Sequence, residues 1–201
     1  ASLGAALRVN RGLRCLVLWN NGIGGEGVRA LSPGIAQNRS LQIIDLGSNS
    51  LGQASLVLKE ALSANTTLHT VGLANAALGE EGGIAMAEVL EGNASLQRLD
   101  LRRNTLGIAG LMALHLAMKT NQAMLEVALD GVAEGGGEQA ELQTHFQADI
   151  KAACTRNATA AGTPSALLDQ AGPLSAAGIP GDAGSSAMAL MATYTGLSAP
   201  L

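Results

Sequence analysis

Leucine or a close relative recurs along this chain in one phrase. It reads Leu13, Leu16, Leu18, Asn21, Ile23; then Leu41, Ile44, Leu46, Asn49, Leu51; then Leu68, Val71, Leu73, Ala76, Leu78; then Leu96, Leu99, Leu101, Asn104, Leu106. A fifth copy opens with Met124, Val127 and Leu129 and stops; from Leu13, Leu41, Leu68 and Leu96 the steps to the next copy are 28, 27, 28 and 28 residues. The phrase is L-x-x-L-x-L-x-x-N-x-L, a leucine-rich repeat in its long form with one helix per unit. Its fourth and sixth positions lie two apart, so their side chains leave one face of an extended segment and the residues between them leave the other. The predicted fold class is α/β: a solenoid with a curved parallel sheet inside, helices outside, a C-terminal capping helix and a disordered tail.

The ninth-position asparagine stands where the chain leaves the strand, and its amide can satisfy backbone groups that an apolar residue could not. Repeat three has Ala76 there, with Asn75 one place early, so its turn is expected to be the weakest. After each phrase comes a glycine (Gly24, Gly52, Gly79, Gly107) and a helical stretch ending on Asn38, Asn65, Asn93 or Asn121; Asn10 holds the same offset ahead of Leu13. Asparagine tolerates the left-handed conformation that closes a helix, and that is the role expected of all five. Three and seven places back lie Ile35/Leu31, Leu62/Leu58, Leu90/Met86 and Met118/Leu114, the inward helical stripes. Eleven places back is always small (Gly27, Ala54, Gly82, Gly110), which would let stacked helices approach closely. No unit buries its apolar side alone; stacking makes the core continuous.

Departures from the pattern carry their own expectations. Residues 1–12 match the back half of an earlier repeat through Leu3, Leu7 and Asn10, so the chain is expected to begin mid-unit, with further repeats upstream. Ser32-Pro33-Gly34 predicts a broken or 3₁₀-like helix at 31–34. The domain reading is repeats over 1–130, a glycine-rich loop and capping helix over 131–156, and a low-complexity tail over 157–201. In the capping helix Leu142, Phe146, Ile150 and Ala153 trace one face. The tail is Ala, Gly, Ser, Thr and Pro with few charges, too poor in apolar area to offset ordering, apart from a possible helical turn at Met188–Tyr194.

Composition narrows the function. With three aromatic residues, Trp19, Phe146 and Tyr194, the core must be aliphatic. A net charge of −4 gives no footprint for nucleic acid or an anionic membrane, and no apolar run approaches the ~20 residues needed to cross a bilayer. Cys15 and Cys154 lie about four repeats apart and are expected to be free thiols, which fits a reducing, cytoplasmic or nuclear compartment. His69, His115 and His145 lack metal-ligand spacing and are expected at the surface or partly covered. The sequons at Asn38, Asn65, Asn93 and Asn157 are discounted as glycosylation sites, because the repeat itself demands Asn at three of them. The glycine pairs lack the lysine of a phosphate loop, and no nucleophile stands beside a base. The expectation is therefore no enzyme, no cofactor and no metal.

The concave surface remains. Its columns read Val17, Asp45, Gly72, Asp100, Ala128; then Trp19, Gly47, Ala74, Arg102, Asp130; then Asn20, Ser48, Asn75, Arg103, Gly131. The middle is small and flat, between Trp19 and a cluster of Arg98, Asp100, Arg102 and Arg103. Trp and Arg dominate measured hot spots, so Trp19, Asp45, Arg98, Asp100, Arg102 and Arg103 are the candidate protein-binding residues. The alternative is that Arg102 pairs laterally with Asp130 and Asp100 in a solvated network of little energetic weight.

Leu96–Asp130 (L-Q-R-L-D-L-R-R-N-T-L-G-I-A-G-L-M-A-L-H-L-A-M-K-T-N-Q-A-M-L-E-V-A-L-D) resembles the last repeats of the protein phosphatase 1 regulatory subunit 37 family, and Leu142–Asn157 resembles the helix that follows them. The repeat length also resembles ribonuclease-inhibitor-type proteins. The first resemblance implies a non-catalytic subunit that binds and restrains the phosphatase catalytic subunit; by itself the chain is expected to be a monomer. Such regulators dock through a basic-Val-x-Phe/Trp segment; here Val17-Leu18-Trp19 has the ending but Arg14 is too distant, so no binding residue carries over. The second implies an inhibitor gripping an enzyme in the concave face, where Arg98, Arg102 and Arg103 argue against a basic target.

Overall fold

The computed structural model describes residues 3–132 and 137–162. In chain order the elements are α1 (Leu3–Val9), β1 (Cys15–Val17), α2 (Gly25–Gln37), β2 (Ile43–Asp45), a 3₁₀ turn (Gly52–Ala54), α3 (Ser55–Ala64), β3 (Thr70–Gly72), α4 (Gly79–Gly92), β4 (Arg98–Asp100), α5 (Gly107–Thr120), β5 (Glu126–Ala128) and α6 (Gly137–Ala160). The strands form one parallel sheet in the order β1-β2-β3-β4-β5. Their register aligns Leu16, Ile44, Val71, Leu99 and Val127. The ladder continues one residue further, with Leu46 N–H donating to Gly72 O, Leu73 to Asp100 O and Leu101 to Ala128 O, each at 2.9 Å. The repeat leucines therefore follow the sheet from unit to unit, and the inward helical stripes meet them: Leu31, Ile35, Leu58, Leu62, Met86, Leu90, Leu114 and Met118 are all buried in the same core cluster.

Two kinds of asparagine stitch the units. Asn49 and Asn104, at the strand exits, donate through Nδ2 to Leu18 O and Leu73 O of the unit before. Their Oδ1 atoms accept from Asn21 and Ile23 N–H, and from Ala76 and Leu78 N–H. Ala76 cannot do this, and the rung between units two and three shrinks to Leu51 N–H on Ala76 O and an exposed bond from Asn75 Nδ2 to Ser48 Oγ. There the helix opens with a 3₁₀ turn, and Ala77 stands at φ 54°.

The helix-end asparagines do something other than expected. Asn38, Asn65, Asn93 and Asn121 have extended backbones, with φ between −65° and −90° and ψ between 118° and 138°. Each Oδ1 accepts the N–H groups two and three residues on, as Asn93 does from Ser95 and Leu96. Each Nδ2 reaches back to carbonyls of the preceding unit, as Asn93 does to Leu62 O and Asn65 O. Left-handed backbone falls instead at the strand exits: Asn20, Ser48, Asn75 and Arg103 have φ of 53–57°.

Three further expectations are corrected. α2 runs unbroken through Pro33; its inner face (Val28, Leu31, Ile35) is buried, and α1 packs so closely that a Cβ on Gly34 would lie 2.4 Å from Gly4 O. The small column serves two kinds of contact. A Cβ at Gly27 or Gly82 would strike Ile23 or Leu78 of its own unit, whereas Gly110 abuts the preceding helix α4 at Gly83 and Ala54 faces Gly25 of α2. Finally, α6 continues to Ala160, past the expected boundary at 156, with Asn157 2% exposed. Asn157 Nδ2 donates to Asn121 O and Met124 O, a further rung of the same ladder. Ile150, Ala153 and Cys154 form the buried face of α6, whereas Leu142 is exposed. The tail from 163 onward, with Met188–Tyr194, lies outside the described residues.

Candidate functional site

The strands that carry the inward leucines also set the concave face, because alternate side chains point away from the core. The register puts Cys15, Ile43, Thr70, Arg98 and Glu126 in a first column and Val17, Asp45, Gly72, Asp100 and Ala128 in a second. Trp19, Gly47, Ala74, Arg102 and Asp130 follow one step beyond the strands. The first column, apart from Arg98, is absent from the sequence-based site. Thr70 and Glu126 were legible as the strand-opening partners of Arg98, one alternation before Asp100.

At the C-terminal end the candidates form two ion pairs. Arg98 bridges to Glu126 on the next strand. Arg102 grips Asp100 with both arms of its guanidinium, Nε to Oδ1 at 2.9 Å and Nη2 to Oδ2 at 2.6 Å, while its own N–H donates to Oδ1 at 3.1 Å. That arrangement raises the Arg102 pKa further, first through the hydrogen bond to Asp100. Of the lateral partners expected for Arg102, Asp100 is the one it grips, while Asp130 adds its charge to Arg102 and accepts the Arg103 backbone N–H. Arg103 itself is exposed.

At the N-terminal end Trp19 is half-buried, and its ring lies directly on Gly47, where a Cβ would come within 2.2 Å of the indole. Asp45 is 3% exposed, and its Oδ1 accepts the Gly47 N–H at 2.9 Å. Gly72 leaves room for that carboxylate, since a Cβ there would lie 2.6 Å from Oδ1. Burial raises the pKa of Asp45, and the charge of Asp100 adds to the rise. The six candidates therefore split into two ends of one face rather than a single cluster.

Elsewhere the chemistry is sparse. Cys15 and Cys154 are both free; burial raises both thiols, Cys154 to about 11. The Asn38, Asn65, Asn93 and Asn157 amides are buried and hydrogen-bonded, so these sequons are closed to a glycan in the fold. One cluster escaped the sequence reading. On the convex side His115 of α5 is nearly buried against Phe146 of α6, at 5.2 Å between rings, and Asp149 Oδ2 lies 3.2 Å from His115 Nδ1 and 3.6 Å from His145 Nε2. The spacing of His145 and Asp149 along one helix was visible; the approach of α5 was not. Among the described residues no group of three or more His, Cys, Asp or Glu is placed to hold a metal ion, and no helix is long and apolar enough to cross a membrane. A groove of about 720 Å³ lies between β5 and α6, lined by Leu125, Val127, Leu129, Ile150 and Cys154 among others.

With this geometry in hand, comparison with known proteins decides the class. The family described as "Leucine Rich repeat" matches residues 9–32 and 92–114. The fold is a leucine-rich-repeat solenoid. The chain is similar to NACHT, LRR and PYD domains-containing protein 12 of Mus musculus, 35% identical over 116 residues covering 57% of this chain and 11% of that protein. It is also similar to tropomodulin-4 of Homo sapiens, 31% identical over 86 residues covering 43% of this chain and 25% of that protein. Among solved structures, "Leiomodin-1 Actin-Binding Site 2" superposes with a TM-score of 0.68 at 16% identity, covering 83% of this chain and 93% of that one. The tropomodulin C-terminal domain of Caenorhabditis elegans does so with a TM-score of 0.65 at 15% identity, covering 79% and 93%. The matched region is a quarter or less of the curated relatives' length. These likenesses support a protein-interaction scaffold of the leucine-rich-repeat kind.

Proposed function

We propose that this solenoid is a non-catalytic module that holds a protein partner on its concave face. The observation that carries the reading is the face itself: a floor of Gly47, Gly72 and Ala74 between a half-buried Trp19 and the Arg98–Glu126 and Asp100–Arg102 pairs. These small residues keep the middle of the face low, beneath the Trp19 ring and the Asp45 carboxylate, and a tryptophan and arginines at its ends supply the residue types that anchor interfaces. Free thiols, with Cys154 buried and unreactive, suit a cytoplasmic or nuclear setting.

Two partner classes have specific support. Actin is favoured by likeness to a leiomodin actin-binding site and to tropomodulins. The catalytic subunit of protein phosphatase 1 is favoured by the resemblance over Leu96–Asp130 and over Leu142–Asn157, which the fold presents as adjoining elements, α5, β5 and α6. Co-sedimentation with filamentous actin and pull-down of the phosphatase catalytic subunit, run side by side, distinguish them. In either assay Trp19→Ala combined with Arg102→Glu weakens capture at least tenfold while far-UV circular dichroism is unchanged. Undiminished capture by that folded double variant excludes the concave face.

A further inference from the structure

The repeat supplies an internal comparison. β2 and β4 end in the same way, Asp45-Leu46-Gly47 and Asp100-Leu101-Arg102. In both, the aspartate is 3% exposed and its Oδ1 accepts the backbone N–H two residues on. In the later unit Arg102 completes the motif by gripping both carboxylate oxygens. In the earlier unit the residue at that place is glycine, and Asp45 forms no ion pair with any described residue. The groups facing it worsen matters: Asp100 from β4 is a like charge, Cys15 from β1 brings no positive one, and β3 contributes Gly72. A buried carboxylate without a counter-charge is costly to a fold, and such groups concentrate where something binds.

We propose that Asp45 and Trp19 form a receptor for one arginine side chain of a partner protein, the guanidinium taking at Asp45 the place that Arg102 takes at Asp100. The planar fork matches both carboxylate oxygens, which a lysine ammonium does not. The half-buried indole lies on Gly47, two residues from Asp45, where its face is placed to stack on the incoming guanidinium. This rests on the concave-face reading and adds to it the chemistry of one contact.

Trp19 is the sole tryptophan of the chain, so its fluorescence reports the site directly. The full chain is titrated at low ionic strength with acetyl-Gly-Gly-Arg-Gly-Gly-amide and with the same peptide carrying citrulline, which keeps the shape and loses the charge. The arginine peptide gives a saturable change in emission, citrulline one at least tenfold weaker, and Asp45→Asn abolishes the difference. Equal responses to the two peptides, a comparison needing no variant, overturn the proposal, as does an arginine response surviving in folded Asp45→Asn. If the peptides fail while Trp19→Ala/Arg102→Glu still weakens partner capture, the receptor is wrong and the concave-face reading stands.

Discussion

Asn93 shows how one side chain joins two units. Its oxygen takes the Ser95 and Leu96 N–H groups, and its amide feeds Leu62 O and Asn65 O at 2.9 and 3.0 Å. Replacing it takes a partner from four backbone groups; Leu62 O keeps the Asn65 N–H, and each buried group left bare costs about 1–3 kcal/mol when water cannot reach it. Asn93→Ala is therefore expected to lower stability by at least ~3 kcal/mol in urea denaturation, and a loss below ~1 kcal/mol would refute the ladder. The recurrence of Asn was plain in the sequence, but two chemistries of asparagine fit it, and left-handed tolerance was the wrong one. The deciding clue was the hydroxyl two places on. Ser40, Thr67 and Ser95 each turn it to the Asn oxygen at 3.0–3.3 Å, so the Asn-x-Ser/Thr spelling is structural. Asp45 obeys the opposite economy. Its pKa is raised by burial, so its contribution to stability is present below the unfolded carboxylate range, about pH 3.9, and is lost as pH rises through the higher folded value. Asp45→Asn, which keeps the acceptor for Gly47 N–H, is expected to raise the thermal midpoint at neutral pH and to change little near ~pH 3. Asp100→Asn removes the charge that Arg102 grips with both arms and is expected to lower the midpoint at neutral pH. A destabilised Asp45→Asn would show that the charge is structural.

At the scale of elements, α6 does the work of a missing sixth unit. It has no strand to offer, so side chains stand in for backbone: Asn157 bonds Asn121 O and Met124 O, Arg156 bonds Met118 O and Asn121 O, and Gln147 bonds Asp130 O. A helical face over Leu142–Ala153 was readable in the sequence, but its length and seating were not. Those depend on bonds to residues more than thirty places away, and on His115, Phe146 and Asp149 filling the seam with α5. Cys154 gives a direct probe of the seating. It is 6% exposed with a thiol pushed up to about 11 by burial, whereas Cys15 is only half-buried. At pH 8 a thiol reagent is expected to modify Cys15 first and Cys154 at least a hundredfold more slowly, since thiolate and access are both withheld. Ile150 is 1% exposed, and Ile150→Ala, costing about 2–4 kcal/mol of packing, should speed Cys154 modification while leaving Cys15 unchanged. Equal acceleration of both thiols would mean that α6 and the repeats open together.

The whole molecule is a stack, and a stack is as firm as its nearest-neighbour joints. Those joints are unequal here. Between α4 and α5 the backbones touch at Gly83 and Gly110, where an added Cβ on Gly83 would lie 3.1 Å from the Gly110 Cα, and Asn104 supplies a complete rung beneath. Between units two and three the rung is lost at Ala76, the helix opens with a 3₁₀ turn, and Ala77 is held in left-handed backbone that costs a non-glycine residue about 1 kcal/mol. The first strand is also thinly covered, with Leu13, Leu16 and Leu18 only partly buried. Regular spacing made the solenoid legible, and Ala76 announced the weak joint, because one substituted letter in a repeat removes one rung. The close glycine contact was not legible: Gly82 and Gly83 look alike in the sequence, and only the stacking angle decides which one meets Gly110. Opening should therefore begin on the N-terminal side of the joint at Ala76. In native-state hydrogen exchange, amides of α2, β2 and α3 are expected to exchange with opening free energies at least ~1 kcal/mol below those of α4, β4 and α5. Ala76→Asn, which adds a side-chain acceptor of the kind Asn49 and Asn104 supply, should narrow that gap. Uniform protection across both halves would show that the stack opens as one cooperative unit and that the missing rung carries no weight.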